Sequence, residues 1–203
     1  MNPELSVPQS FPQKQIGGFF CDCENLLIRS ATVDDAPALA TVITQSFHRY
    51  SGVRQWFVPL LRLGVCEDFR YRLRSSEIHH VCFVACLSTD GSGGSVIVGT
   101  VELAVKYLHS MAIAPMKSPY ISNLAVDLQY RRLGIARKLL NRCEVQVRRW
   151  NYGSIALHVL DNNEGAKELY RQCGYEIKHS EKNIGSLLFK QPHRLFLQKN
   201  LSP

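Results

Sequence analysis

The stretch Arg131-Arg132-Leu133-Gly134-Ile135-Ala136 is where chemistry first suggests itself in this sequence. It sits between a segment that reads as a strand and one that reads as a helix. In that position consecutive backbone N–H groups converge on an anion, and the helix dipole adds positive potential at the same point. Gly134 and Ala136 keep side chains out of the way, which is the geometry needed to hold a pyrophosphate without a metal. From 131 to 149, seven basic residues (Arg131, Arg132, Arg137, Lys138, Arg142, Arg148, Arg149) stand against one acid, Glu144. Part of this charge suits phosphates and the rest reads as a solvated helix face. Taken alone, the segment fits an ordinary turn with solvated arginines as well as it fits an anion site.

The elements that would position this turn follow from periodicity. Residues 26–29 read as a short strand. Ser30-Ala31-Thr32-Val33-Asp34-Asp35 offers hydroxyl and acidic caps to a helix over 36–48, where Leu39, Val42, Ile43 and Phe47 share a face. A second helix over 56–74 carries Leu61, Val65, Phe69 and Leu73 as its apolar stripe. The β-branched runs 81–87 and 95–107 flank Thr89-Asp90-Gly91-Ser92-Gly93-Gly94 and so form a hairpin. A strand over 120–126 leads into the candidate turn, and a helix over 134–150 follows with Ile135, Leu139, Leu140, Cys143 and Val147 on one side. A strand over 154–160, a short helix over 164–172 ended by Gly174, and closing strands over 175–177 and 195–198 complete the chain. This order mixes an antiparallel region with strand–helix–strand crossovers. It predicts an α/β three-layer sandwich on a mixed sheet.

The 203 residues suit one ordinary domain, over 26–203, preceded by an arm over 1–25 that contains Pro3, Pro8 and Pro12 and lacks the basic start and apolar run of a secretory signal. No apolar run is long enough for a bilayer, so a soluble protein without a membrane partner is expected. Seven scattered cysteines, without paired C-x-x-C spacing, argue against disulfides and zinc and fit reduced thiols in a cytoplasm. Cys21-Asp22-Cys23 has no second pair with which to ligate a metal. The net charge of +7 suits an acidic partner: a nucleotide-bearing cofactor, nucleic acid or an anionic surface. A basic nucleic-acid-binding module is the rival from another class, and it lacks a groove-reading motif or a series of stacking aromatics.

The candidate turn matches the Q/R-x-x-G-x-G/A signature of the GNAT superfamily of N-acetyltransferases. Further segments match in the family's order and spacing. Tyr120-Ile121-Ser122-Asn123-Leu124-Ala125-Val126-Asp127 resembles the family's pantetheine-binding strand. Leu157-His158-Val159-Leu160-Asp161-Asn162-Asn163, with Ala166, Leu169-Tyr170 and Gly174-Tyr175, resembles its second cofactor segment. Together these cover about residues 95–180, while the N-terminal third agrees only in its pattern of elements. Tyr120 and His158 match the Tyr and His of NatE-type N-terminal acetyltransferases, whereas the RimI-like bacterial ribosomal-protein enzyme has Glu at the position of His158. Residues 59–74 look like the corresponding region of cyanobacterial and chloroplast members, which are associated with both N-terminal and lysine acetylation.

The resemblance implies a centrally splayed sheet and acetyl-CoA as co-substrate, with no metal. Leu124, Ala125 and Val126 would offer backbone groups to the pantetheine arm as an added strand would receive them. Arg131, Arg132, Leu133, Gly134, Ile135, Ala136 and Arg137 would cradle the phosphates. Asn163 would hydrogen-bond the arm, with a helix N-cap as its ordinary alternative, and Ala166 would leave room. Tyr170 is the implied acid for the departing thiolate, with a packed core tyrosine as the alternative reading. Tyr120 and His158, reaching one water, would take the amine's proton unless His158 is simply a buried, hydrogen-bonded histidine. Residues 51–54 and 179–191 would contribute acceptor loops. An α-amine of pKa about 8 costs only about 1 kcal/mol to deprotonate at neutral pH against about 4.6 kcal/mol for lysine, so a His/Tyr base suits protein or peptide α-amines, with lysine as a second acceptor. The alternative is a polyamine or aminoglycoside drawn by the acids Glu67, Asp68 and Glu77. The likeness to plastid members adds the plastid stroma of a photosynthetic eukaryote to the cytoplasmic location that the cysteines suggest.

Overall fold

The structure, a computed structural model, describes residues 14–16, 19–21, 26–46, 58–75, 77–88, 94–108, 116–181 and 192–201. Strands β1 (Lys14–Ile16) and β2 (Phe19–Cys21) pair antiparallel as a separate two-stranded ladder within the segment read as an arm. Strands of three residues are too short to show a period, so the sequence carries no signal for them.

Seven strands build the main sheet: β3 (Leu26–Ser30), β4 (His80–Ser88), β5 (Ser95–Leu108), β6 (Met116–Val126), β7 (Ser154–Leu160), β8 (Glu176–Glu181) and β9 (Arg194–Asn200). Their order is β3-β4-β5-β6-β7-β9-β8. The β6–β7 ladder is parallel and its neighbours are antiparallel. Among the described residues four helices, α1 (Ala36–Ser46), α2 (Val58–Arg74), α3 (Ile135–Arg149) and α4 (Glu164–Gln172), cover the two faces. The expected sandwich of helices on both sides of a mixed sheet is the fold observed.

Each helix meets the sheet through the residues its period selects. Ile135, Leu139, Leu140, Cys143 and Val147 of α3 are buried to 1% exposure or less among Val98, Leu103, Ile121, Ile155 and Leu157. On the other face Leu39, Val42 and Ile43 of α1 and Phe69 of α2 close over Cys82, Val84 and Cys86. Phe47 and the side chain of Leu61 lie outside the described residues. The entry to α1 is fixed by Asp35, which accepts both guanidinium nitrogens of Arg29 at 2.6 and 2.8 Å and the Thr32 N–H at 2.7 Å. The hydrogen bond from Arg29 holds the Asp35 carboxyl below its ordinary pKa.

Most strands run a little longer than expected from the sequence, β9 over Arg194–Asn200 against 195–198 among them, and two differ by more. Strand β6 begins at Met116 rather than at Tyr120, running through Pro119 where β6 has β5 alone as its partner, an edge-like place that tolerates proline. Strand β8 runs over Glu176–Glu181 rather than 175–177. It is an outer strand with most of its residues exposed, so no apolar alternation marks it.

Candidate active site

The centre of the sheet opens between its two parallel strands. β6 pairs with β7 at Tyr120–Ala156 and Ile121–Leu157; beyond these β6 runs on to Val126 beside β5, while β7 runs on to Leu160 beside β9. A bulge turns β6 aside at this point. Thr100 lies opposite Ala125 and Glu102 opposite Ser122, so the single residue Val101 faces both Asn123 and Leu124. Asn123 takes the left-handed conformation at φ 54°, which Asn tolerates better than most residues. Leu124, Ala125 and Val126 therefore sit on a segment whose β7 side has left the ladder. An extended, amide-bearing ligand laid along it would meet the donors and acceptors of a strand edge.

At the end of that strand the chain turns into α3. Gly134 precedes the helix at φ 78°, ψ 0°, and Arg132 is also left-handed at φ 70°. A Cβ on Gly134 would meet no protein atom within 4 Å, so it would project into open space in front of the helix. Leu133 and Ile135 turn their side chains into the core, which leaves their backbone to the turn. The first N–H groups of a helix lack intrahelical partners, so this turn suits a pyrophosphate. Arg131 and Arg137 are partly engaged elsewhere: Arg131 Nε donates to the Val126 carbonyl at 3.2 Å, and Arg137 donates to Gln172 at 3.1 Å. Asn163 caps α4, its Oδ1 accepting the Ala166 N–H at 3.2 Å, which commits its carbonyl oxygen and not its amide N–H groups.

Two of the residues singled out for proton transfer, Tyr120 and His158, meet at the opening. The Tyr120 hydroxyl lies 2.8 Å from His158 Nδ1, although 38 residues separate them in sequence. Burial lowers the His158 pKa against the raising effect of a hydrogen bond with Glu181, so the imidazole is neutral near pH 7. Burial raises the Tyr120 phenol, opposed by the charge of Arg194. Tyr170 of α4 is buried and packs edge-on to Tyr175 at 5.8 Å. Burial pushes its phenol up to about 12 and the nearby Tyr120 phenol adds to this, so it stays a proton donor.

Two groups here carried no sequence signal. Glu181, on the undercounted strand β8, lies 2.9 Å from His158 Nε2. Glu102, 3% exposed, accepts from Arg72 at 2.5 and 2.7 Å, His80 at 2.7 Å and Asn123 at 2.6 Å, tying β4, β5, the β6 bulge and α2 together. Burial works to raise its pKa, but His80, Arg72 and Asn123 together bring it down to about 2. Their partners come from distant strands, so only the assembled register reveals them. Glu67 and Asp68, considered above as a lure for polyamines, pair with Arg70 and Arg72 of their own helix. Residues 51–54 and 182–191 of the expected acceptor loops lie outside the described residues. Among the described residues there is no cluster of His, Cys, Asp and Glu that could hold a metal, and no helix long and apolar enough to cross a membrane.

A mixed sheet parted between parallel strands, with a glycine-hinged helix start at the end of the gap, defines a fold that holds a nucleotide-tailed, amide-bearing donor. The chain belongs to the acetyltransferase (GNAT) family, whose model matches residues 50–175. It is 29% identical over 158 residues to GCN5-related N-acetyltransferase 7, chloroplastic, of Arabidopsis thaliana, a match covering 73% of this chain and 57% of that protein. The chain thus spans a little over half the length of that relative. N-alpha-acetyltransferase 50 of Danio rerio is 39% identical over 71 residues, or 33% of this chain and 40% of that one. Among solved structures, the PaiA N-acetyltransferase of Thermoplasma acidophilum in complex with coenzyme A superposes with a TM-score of 0.62 at 18% identity, covering 86% of this chain and 98% of that chain. Acetyl-CoA is the co-substrate that goes with this family and fold, and the strand edge and glycine turn fit it.

Proposed function

We propose that this protein transfers the acetyl group of acetyl-CoA to the N-terminal α-amine of proteins or peptides, with lysine side chains as a second class of acceptor. The observation that carries the reading is the Tyr120–His158 contact of 2.8 Å at the opening between β6 and β7. A neutral imidazole coupled to a phenol is a mild base, and an α-amine of pKa about 8 asks little of it. Tyr120 and His158 collect the amine's proton as the nitrogen attacks the thioester, and Tyr170 protonates the departing thiolate. Leu124, Ala125 and Val126 hold the pantetheine arm, and the backbone of residues 131–137 holds the phosphates.

Two further observations support an α-amine acceptor over a polyamine. Glu67 and Asp68 are already paired with arginines, which leaves them poorly suited to attract a polycation. The similarity to a protein named as an N-alpha-acetyltransferase points the same way. We place the enzyme in the cytoplasm, or in the plastid stroma of a photosynthetic cell, in keeping with the chloroplastic relative.

The test is an acetylation screen read by mass spectrometry. Peptides with free or blocked N-termini, with and without lysine, are offered beside a panel of small polyamines and aminoglycosides. Preferential acetylation of free N-termini is expected. Modification confined to the small amines would overturn the reading, and equal modification of blocked lysine peptides would remove the α-amine preference.

A further inference from the structure

Strand register brings Glu181 to the base through two ladders. His158 of β7 lies opposite Phe196 of β9, and Arg194, two residues earlier on β9, lies opposite Glu181 of β8. Glu181 then stands 2.9 Å from His158 Nε2 while Tyr120 stands 2.8 Å from Nδ1, so both ring nitrogens are engaged. An ionised carboxylate only accepts hydrogen bonds, so the proton between Glu181 and the ring sits on Nε2. A neutral imidazole protonated at Nε2 has its lone pair on Nδ1, so the Tyr120 hydroxyl donates to Nδ1. The Tyr120 oxygen is then an acceptor, one on which the Arg194 side chain and the His158 backbone N–H already bear, and an incoming amine N–H would join or displace them.

We propose that Glu181 is a positioning residue that fixes His158 in the Nε2–H tautomer, so that Tyr120 is the group that touches the acceptor amine and His158 is the proton store behind it. This rests on the reading of Tyr120 and His158 as the base. As the amine nitrogen bonds to the thioester carbon and the carbon–sulfur bond breaks, the amine's proton passes to the Tyr120 oxygen while the Tyr120 proton passes to Nδ1. The imidazolium, protonated on both nitrogens, remains beside the Glu181 carboxylate. Tyr170 gives its proton to the sulfur. One proton has left the amine and one has reached the thiolate, and His158 and Tyr170 return to their starting states through solvent.

The surroundings give the carboxylate a second task. His158 is faced by Tyr120 of β6, Glu181 and His179 of β8, and Arg194 and Phe196 of β9; the Lys106 ammonium of β5 lies 5.1 Å from the Tyr120 ring centre, and Tyr170 of α4 bears on the same phenol. Arg194 and His179 both oppose a positive charge on His158, and Glu181 favours it. Without Glu181 the ring would lose both its fixed tautomer and the anion that makes it a useful acceptor. A carboxylate behind an imidazole behind a hydroxyl follows the same logic as the hydrolase triad.

The experiment compares full-length wild type, Glu181→Gln and Glu181→Ala with acetyl-CoA and the best acceptor from the screen, together with 15N-histidine NMR, which needs no acceptor. Glu181→Gln is expected to lower kcat by about tenfold to a hundredfold, to leave the KM for acetyl-CoA unchanged and to move the acid limb of kcat/KM to lower pH. NMR is expected to show His158 of the wild type as the Nε2–H tautomer and Glu181→Ala as a mixture. A wild type in the Nδ1–H form, or a Glu181→Gln variant whose acid limb stays in place whatever its unfolding midpoint does, would overturn the proposal. His158→Ala separates the two levels. If it abolishes the acid limb while Glu181→Gln does not move it, His158 keeps its role and Glu181 loses its own; full activity of His158→Ala at every pH overturns both.

Discussion

Glu102 with His80 and Glu181 with His158 are carboxylate–histidine pairs on one face of one sheet, at 2.7 and 2.9 Å, and they differ in what surrounds them. The Glu102 side chain is 4% exposed and takes hydrogen bonds from Arg72, His80 and Asn123. It is a saturated anion, held charged by its donors despite its burial. The Glu181 side chain is 36% exposed, and its histidine has a second nitrogen joined to a phenol that lies at the opening of the sheet. The first arrangement has every reason to stay as it is. In the second, a proton has somewhere to come from and somewhere to go. A carboxylate–histidine pair whose connections lead outward is thus suited to chemistry, whereas closed connections mark a brace.

The largest effect should come from breaking the brace. Glu102→Gln removes the anion on which Arg72, His80 and Asn123 converge and should cost about 3–5 kcal/mol in urea unfolding, as expected for a buried pair that loses one partner. Because the Glu102 pKa is lowered on folding, its stabilisation is fully present above the ordinary carboxylate value of 4.5 and is lost as pH falls toward about 2. The variant should lack that part of the acid-unfolding curve. On the side proposed to move protons, Tyr170→Phe should lower kcat roughly tenfold with the KM for acetyl-CoA within about twofold and no loss of stability, since a donated proton counts only as the carbon–sulfur bond breaks. Unchanged turnover under conditions where chemistry limits the rate would remove Tyr170 as the acid. The smallest effect sharpens the comparison. Arg72 also pairs with Asp68, whose side chain is 60% exposed, and Asp68→Asn should change unfolding by less than about 0.5 kcal/mol. A loss as large as that of Glu102→Gln would show that burial does not separate the two pairs.

What could be read from the sequence was local. The α3 stripe from Ile135 to Val147 is a period, and Gly134 before it is a turn signal; the structure has both at the expected places. Tyr120 and His158 stand out in the sequence by likeness to a family, and their contact appears only when β6 and β7 lie side by side. Glu181 sits in Glu176-Ile177-Lys178-His179-Ser180-Glu181, which on an outer strand needs no apolar alternation and so shows none. Glu102 lies within a mostly apolar strand, where a charge normally argues against burial; the three groups that offset it, Arg72, His80 and Asn123, come from α2, β4 and β6. Asn123 likewise reads as an ordinary strand residue until the bulge brings its amide within 2.6 Å of Glu102.

The parting of β6 from β7 means that the sheet of this protein is left incomplete by its own chain. In a continuous sheet the β7-facing backbone groups of residues 122–126 would each have a strand partner. On the reading proposed above, those places would fall to the pantetheine arm of the co-substrate. Binding would then finish the sheet, and the resistance of the protein to unfolding would rise with the concentration of acetyl-CoA around it.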